Sequence, residues 1–74
     1  MTLDQLVEND SGIIIKIDDI TLEEQLLSLG FIIGDEIKVE RIAPLNDPIL
    51  ISSGLNYISI RKLNAKQIEI TKKL

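Results

Sequence analysis

The chain has no cysteine, histidine or tryptophan, and its aromatic side chains are Phe31 and Tyr57 alone. Without cysteine no disulfide can staple the fold, and without either cysteine or histidine the usual zinc ligands are missing. The familiar nucleophilic arrangements fall with them, because a serine would then need a lysine or carboxylate base that no motif supplies. Four glycines, Gly12, Gly30, Gly34 and Gly54, are too scattered to cradle a phosphate, and "GFIIGDE" lacks the Lys-Ser/Thr ending of a P-loop. Two aromatics cannot line the groove in which SH3 domains hold proline-rich peptides. Positive charge is scarce too: eight Lys and Arg stand against twelve Asp and Glu, for a net charge of −4 and a pI near 4.6. An acidic, aromatic-poor chain neither neutralises phosphates nor stacks bases, so nucleic-acid binding is not expected. No apolar run approaches the roughly 20 residues that span a bilayer. The opening "MTLDQLVEND" is acidic and does not read as a secretory signal. These absences predict a cytoplasmic protein that is not an enzyme, carries no cofactor and does not insert in a membrane.

What the chain does have is isoleucine. Of its 74 residues 45% are hydrophobic, and fifteen are isoleucine. A domain this small, with no staple, depends on its apolar interior. Side chains branched at Cβ are stiff at χ1 and suit a pleated surface, so the composition favours strands. One mostly β domain over residues 1–74 is expected.

Local patterns order the elements. In "TLDQL", Thr2 and Gln5 have capping-box spacing, which predicts a helical turn with Leu3 and Leu6 facing the core. "GIIIKI" reads as a strand with Ile13, Ile15 and Ile17 on one face. In "TLEEQLLSLG", Thr21 and Glu24 repeat the capping box; Leu22, Leu26 and Leu29 recur at i, i+4 and i+7 as a buried stripe; and Gly30 stands at the left-handed cap position. "EIKVERI" alternates as a strand, with Ile37 and Val39 on one face and a strand end or bulge near Arg41. Pro44 and Pro48 fall between strands, since neither can donate to a ladder. "ILIS" and "YISI" flank a turn at "SSGLN", "RKLNAK" makes one helical turn, and "QIEIT" is a last strand with Ile68 and Ile70 inward. The order predicts a small SH3-like barrel, closed on itself, with a short helix inserted after the first strand.

Carboxylates occur in pairs, as Asp18-Asp19, Glu23-Glu24 and Asp35-Glu36, but none matches a calcium loop. Helix capping and turn formation account for them, and no metal site is assigned.

In "LLSLGFIIGDEIKVERIAPLNDPILI" the chain resembles the FeoA family of bacterial ferrous iron uptake. The matched positions are Leu26, Leu29, Gly30, Gly34, Ile37 and Val39, then Ala43, Pro44, Leu45, Asp47 and Pro48, then Gly54, Ile60, Arg61 and Ala65. It departs from the pattern at Gln25, Ile33 and Asn46, where the family has a basic residue, proline and glycine. The resemblance implies an SH3-like fold and a non-enzymatic role in iron homeostasis, by protein–protein interaction with the cytoplasmic part of the FeoB permease. Candidate partner-binding residues are Leu26, Phe31, Pro44, Leu45, Asp47, Pro48 and Arg61. Rival readings are the regulatory module of a metal-dependent repressor and a divalent transition metal ion binder with carboxylate ligands; self-association stays open. The stretch "IAPLNDPIL" is at least a stiffened connection, and its rigidity and exposed Leu45 suit a docking element as well.

Overall fold

Isoleucine-rich alternation produces five antiparallel strands: β1 (Ser11–Ile17), β2 (Glu36–Ile42), β3 (Ile49–Ser53), β4 (Asn56–Ile60) and β5 (Ile68–Lys73). Helix α1 (Ile20–Ser28) follows β1, and the single turn α2 (Lys62–Ala65) joins β4 to β5. Two 3-10 turns, Leu3–Gln5 and Pro44–Asn46, complete the chain. The structure is a computed structural model and describes residues 1–73. The N-terminal turn forms as its capping box predicts, with the Thr2 N–H donating to Gln5 Oε1 at 2.8 Å and Leu3 and Leu6 buried.

The strands lie in the order β4-β3-β2-β1-β5. The mostly β, SH3-like class therefore holds, but the sheet is not closed, because β4 and β5 end it on opposite sides. Two contacts stand in the way of closure. Residues 1 and 2 take up part of the outer side of β5, where the Ile70 N–H donates to the Met1 carbonyl at 2.7 Å and Thr2 bridges Glu69. On the other side, α1 lies next to β4 across a shallow cleft.

One apolar core fills the concave side, and Phe31, Leu3, Ile14, Ile37, Ile51 and Ile68 are among its fully enclosed members. Each such side chain contributes about 1.5–3 kcal/mol relative to exposure. In β1 the buried residues are Gly12, Ile14 and Ile17, not Ile13 and Ile15. A bulge between Ile14 and Lys16, in the pairing with β5, shifts the alternation by one residue. Gly12 marks the close approach of the two strands: a Cβ there would lie 2.3 Å from the Ile70 Cγ2 atom. A second bulge, between Val39 and Arg41, breaks the β2 alternation where the sequence does.

Helix α1 starts two residues earlier than its capping-box spacing suggests. Asp19, not Thr21, is the N-cap, and its Oδ1 accepts from the N–H groups of Thr21 at 2.9 Å and Leu22 at 3.4 Å. The Asp18 N–H is held by the Gln67 carbonyl at 2.8 Å, which fixes where the strand ends and the helix can begin. Leu22 and Leu26 are buried, but Leu29 is 53% exposed. It lies past the last helical residue, at φ −96° and ψ 3°, so it turns out of the stripe. Gly30 and Gly34 both take positive φ, as the cap and turn require.

Candidate docking surface

The loop from Ala43 to Pro48 is rigid for reasons visible in its own residues. The Ala43 N–H donates to the Pro48 carbonyl at 3.0 Å and closes it, while the Asn46 N–H donates to the Ala43 carbonyl at 2.9 Å. Pro44 opens the 3-10 turn, where its fixed φ fits and its missing donor costs nothing. Leu45 and Asn46 are both left-handed, with φ of 68° and 65°, and the Asp47–Pro48 peptide is cis. Asparagine accepts that region readily; leucine does so at a cost of about 1 kcal/mol.

Two carboxylates tie this loop to the rest of the fold. Asp47 Oδ1 accepts from the Lys62 N–H at 3.0 Å and so satisfies an otherwise open donor in the first turn of α2. Glu8 Oε1 accepts from the Ile42 N–H at 2.9 Å, at the root of the loop. Held from both sides, Leu45 stands 97% exposed. Beneath it the N-terminal turn and the loop base enclose a cleft of about 220 Å³ bordered by Asp4, Val7, Asn46 and Lys62.

The seven candidate contact residues separate into two groups. Pro44, Leu45, Asp47 and Pro48 are exposed on this loop, and Arg61 is exposed next to it, adjoining the Lys62 that Asp47 holds. Leu26 and Phe31 are core residues, 3% and 0% exposed, and present almost no surface to a partner. Leu26 lies on the inward stripe of α1. Phe31 follows directly on the turn at Gly30, and its N–H donates to the Leu26 carbonyl at 2.8 Å. Both serve packing.

Charge is unevenly committed. Ion pairs engage Lys16, Lys38, Lys72 and Lys73 with nearby carboxylates. Among the described residues Arg41, Arg61, Lys62 and Lys66 have none, and the first three flank the loop and its anchor. An acidic molecule thus keeps three of its four unpaired basic side chains beside its most exposed leucine. Two features escape sequence inspection. One is the Asp47–Lys62 link, because its partners are fifteen residues apart. The other is the cleft of about 190 Å³ between α1 and β4, lined by Leu26, Leu29, Ile58, Ile60 and Asn64. Among the described residues there is no cluster of three carboxylates that could hold a metal ion, and no helix is long and apolar enough to cross a membrane.

Comparison with known proteins places these features in a family. A family model for the FeoA domain matches residues 1–72. The chain is 30% identical over 71 residues to an Fe(2+) transport protein A/Fe(2+) transporter FeoB fusion protein of Porphyromonas gingivalis, covering 95% of this chain and 8% of that protein. Its fold matches the solution structure of iron(II) transport protein A from Clostridium thermocellum with a TM-score of 0.87 at 36% identity, over 97% of this chain and 45% of that one. It also matches the Stenotrophomonas maltophilia FeoA complexed with zinc, with a TM-score of 0.81 at 25% identity, over 96% of this chain and 89% of that one. That protein is described as a prokaryotic SH3 domain protein and a candidate activating factor of ferrous iron transport. The chain spans less than half the length of the first two of these relatives. With its SH3-like sheet and matched loop, the chain belongs to the FeoA family, which is associated with ferrous iron transport.

Proposed function

We propose that this chain is a non-enzymatic accessory of ferrous iron uptake that docks, through the Leu45 loop, on the cytoplasmic region of a FeoB-type permease and modulates transport. The observation that carries this reading is Leu45 itself: a leucine almost wholly in water, in a backbone region that disfavours it, on a loop anchored at both ends. That conformation serves the turn closed by the Asn46–Ala43 hydrogen bond, and it also gives a partner a side chain that is already ordered before contact. Support for the choice of partner comes from the Porphyromonas gingivalis relative, in which the two components share one polypeptide. Tethering of that kind raises the effective concentration of a weak contact. Arg41, Arg61 and Lys62 around the loop would meet acidic groups and speed the encounter.

Binding of the cognate permease's cytoplasmic region tests the docking, with no nucleotide, GDP and a GTP analogue in turn. Leu45→Asp should leave stability within about 0.5 kcal/mol of the parent, as for an exposed position. It should weaken binding at least tenfold, or about 1.4 kcal/mol. Unchanged affinity in a folded Leu45→Asp protein makes the loop a connector and nothing more.

A further inference from the structure

The hairpin of β3 and β4 turns on two residues, Gly54 and Leu55, because Ser53 pairs directly with Asn56. Gly54 takes a positive φ and Leu55 does not, as a type II′ turn requires. The residues flanking a two-residue turn exchange both of their backbone hydrogen bonds, and the pattern then alternates along the ladder. With Ser53–Asn56, Ile51–Ile58 and Ile49–Ile60 as the bonded pairs, Tyr57 and Ser59 must direct both N–H and C=O away from β3. Strand β4 ends the sheet on that side, and among the described residues these groups have no backbone partner. Tyr57 and Ser59 are both exposed.

The space beside this edge has a chemical character of its own. Ile58 and Ile60 face inward, so the Ser59 side chain takes the other face of the sheet and its backbone borders the cleft shared with α1. The opposite wall of that cleft carries Leu22, Leu26 and the half-exposed Leu29, with Gln25 among them. Arg61, which also lines the cleft at the end of β4, has no ion pair among the described residues. The edge therefore presents two donors, two acceptors, an apolar trough for alternate side chains and one cation at a defined end. We infer that the outer edge of β4 accepts an extended peptide segment of a protein partner as a sixth, antiparallel strand, with an acidic residue at the segment's N-terminal end against Arg61. The inference rests on the docking reading only for the class of partner. The test below needs no permease, so its failure is read separately from a failure of docking by the Leu45 loop.

The probe is the peptide acetyl-Glu-Val-Thr-Val-Thr-Val-amide, titrated into the isotope-labelled full chain and followed by NMR. In the antiparallel register its valines face the cleft and its threonine amides face β4. Saturable shifts at Tyr57 and Ser59, with slowed hydrogen exchange of both amides, are the expected result. The same peptide N-methylated at both threonines should bind at least tenfold more weakly. Ser59→Pro removes one outward donor while leaving the pairing with β3 intact, since proline is tolerated on an edge; it should cost a similar factor. Arg61→Glu should weaken binding several-fold and reverse its salt dependence, since added salt then screens a repulsion. If Ser59→Pro fails to fold, the methylated peptide decides the matter on the unaltered protein. Equal binding of the two peptides, no saturable binding at millimolar peptide, or shifts confined to other surfaces overturns the inference. So does concentration-dependent protection of Tyr57 and Ser59 without peptide, which makes a second copy of this chain the occupant.

Discussion

Leu45 shows how one side chain can work against the stability of its own domain. Its left-handed backbone is unfavourable for leucine and its apolar surface lies in water, so two small penalties coincide on one residue. Asparagine suits the same backbone without either penalty, as the neighbouring Asn46 shows. Leu45→Asn should thus raise stability by about 0.5–1 kcal/mol, seen as a higher urea midpoint at unchanged slope, while binding to the permease falls. A variant that is both less stable and a weaker binder would remove the case for a strained contact residue. Exposure of this loop was legible in the sequence because two prolines within five residues exclude a paired strand. The opposite fates of Leu26 and Phe31 were not. An apolar residue in such a stretch can serve packing or contact, and only the burial of both residues separates the two.

Among the secondary-structure elements, α1 and β1 show where pattern reading reaches its limit. Asp19 and Thr21 are both good caps, and each stands close enough to the first turn to serve. What decides between them is tertiary: the Asp18–Gln67 backbone bond ends β1 and presents Asp19 to the helix. Asp19→Ala is expected to cost about 1 kcal/mol, and Thr21→Ala less than half of that, in thermal or urea unfolding. The reverse ranking would return the cap to Thr21. In β1 every residue from Ile13 to Ile15 is isoleucine, so composition cannot show which of them face inward. A period of two carried across the strand selects Ile13 and Ile15, and the bulge before Lys16 makes the selection wrong. Insertion of one residue into a ladder leaves no mark in such a run. The β4 edge is legible in the sequence, since "SSGLN" places its glycine where a two-residue turn needs it, and the turn fixes which amides point outward.

At the scale of the whole molecule, stability is concentrated in very few contacts. For 74 residues a total of about 4–11 kcal/mol is typical, and loss of one buried leucine side chain costs about 2–5 kcal/mol. The N-terminal segment supplies two, Leu3 and Leu6, and its Met1 carbonyl also holds β5. Removing residues 1–6 should therefore unfold the domain outright, with loss of amide dispersion and of the cooperative thermal transition. A truncated chain that still melts cooperatively would mean that the sheet alone is self-sufficient. The four ion pairs contribute much less, because all lie at the surface and exposed pairs are worth roughly 0–1 kcal/mol each.

The two flanks of the sheet are unequal. Beside β5 lie Met1 and Thr2, and beyond them the strand ends in Lys72 and Lys73, residues that discourage strand-to-strand contact; beside β4, among the described residues, α1 stands back across a cleft and no backbone group pairs with the outer side of the strand. Fibre growth needs an acceptor and a donor flank on every unit. This molecule offers only one of the two, so accretion stops after a single addition. Concentrated solutions should then stay free of the amyloid-like polymers that its isoleucine content alone would invite.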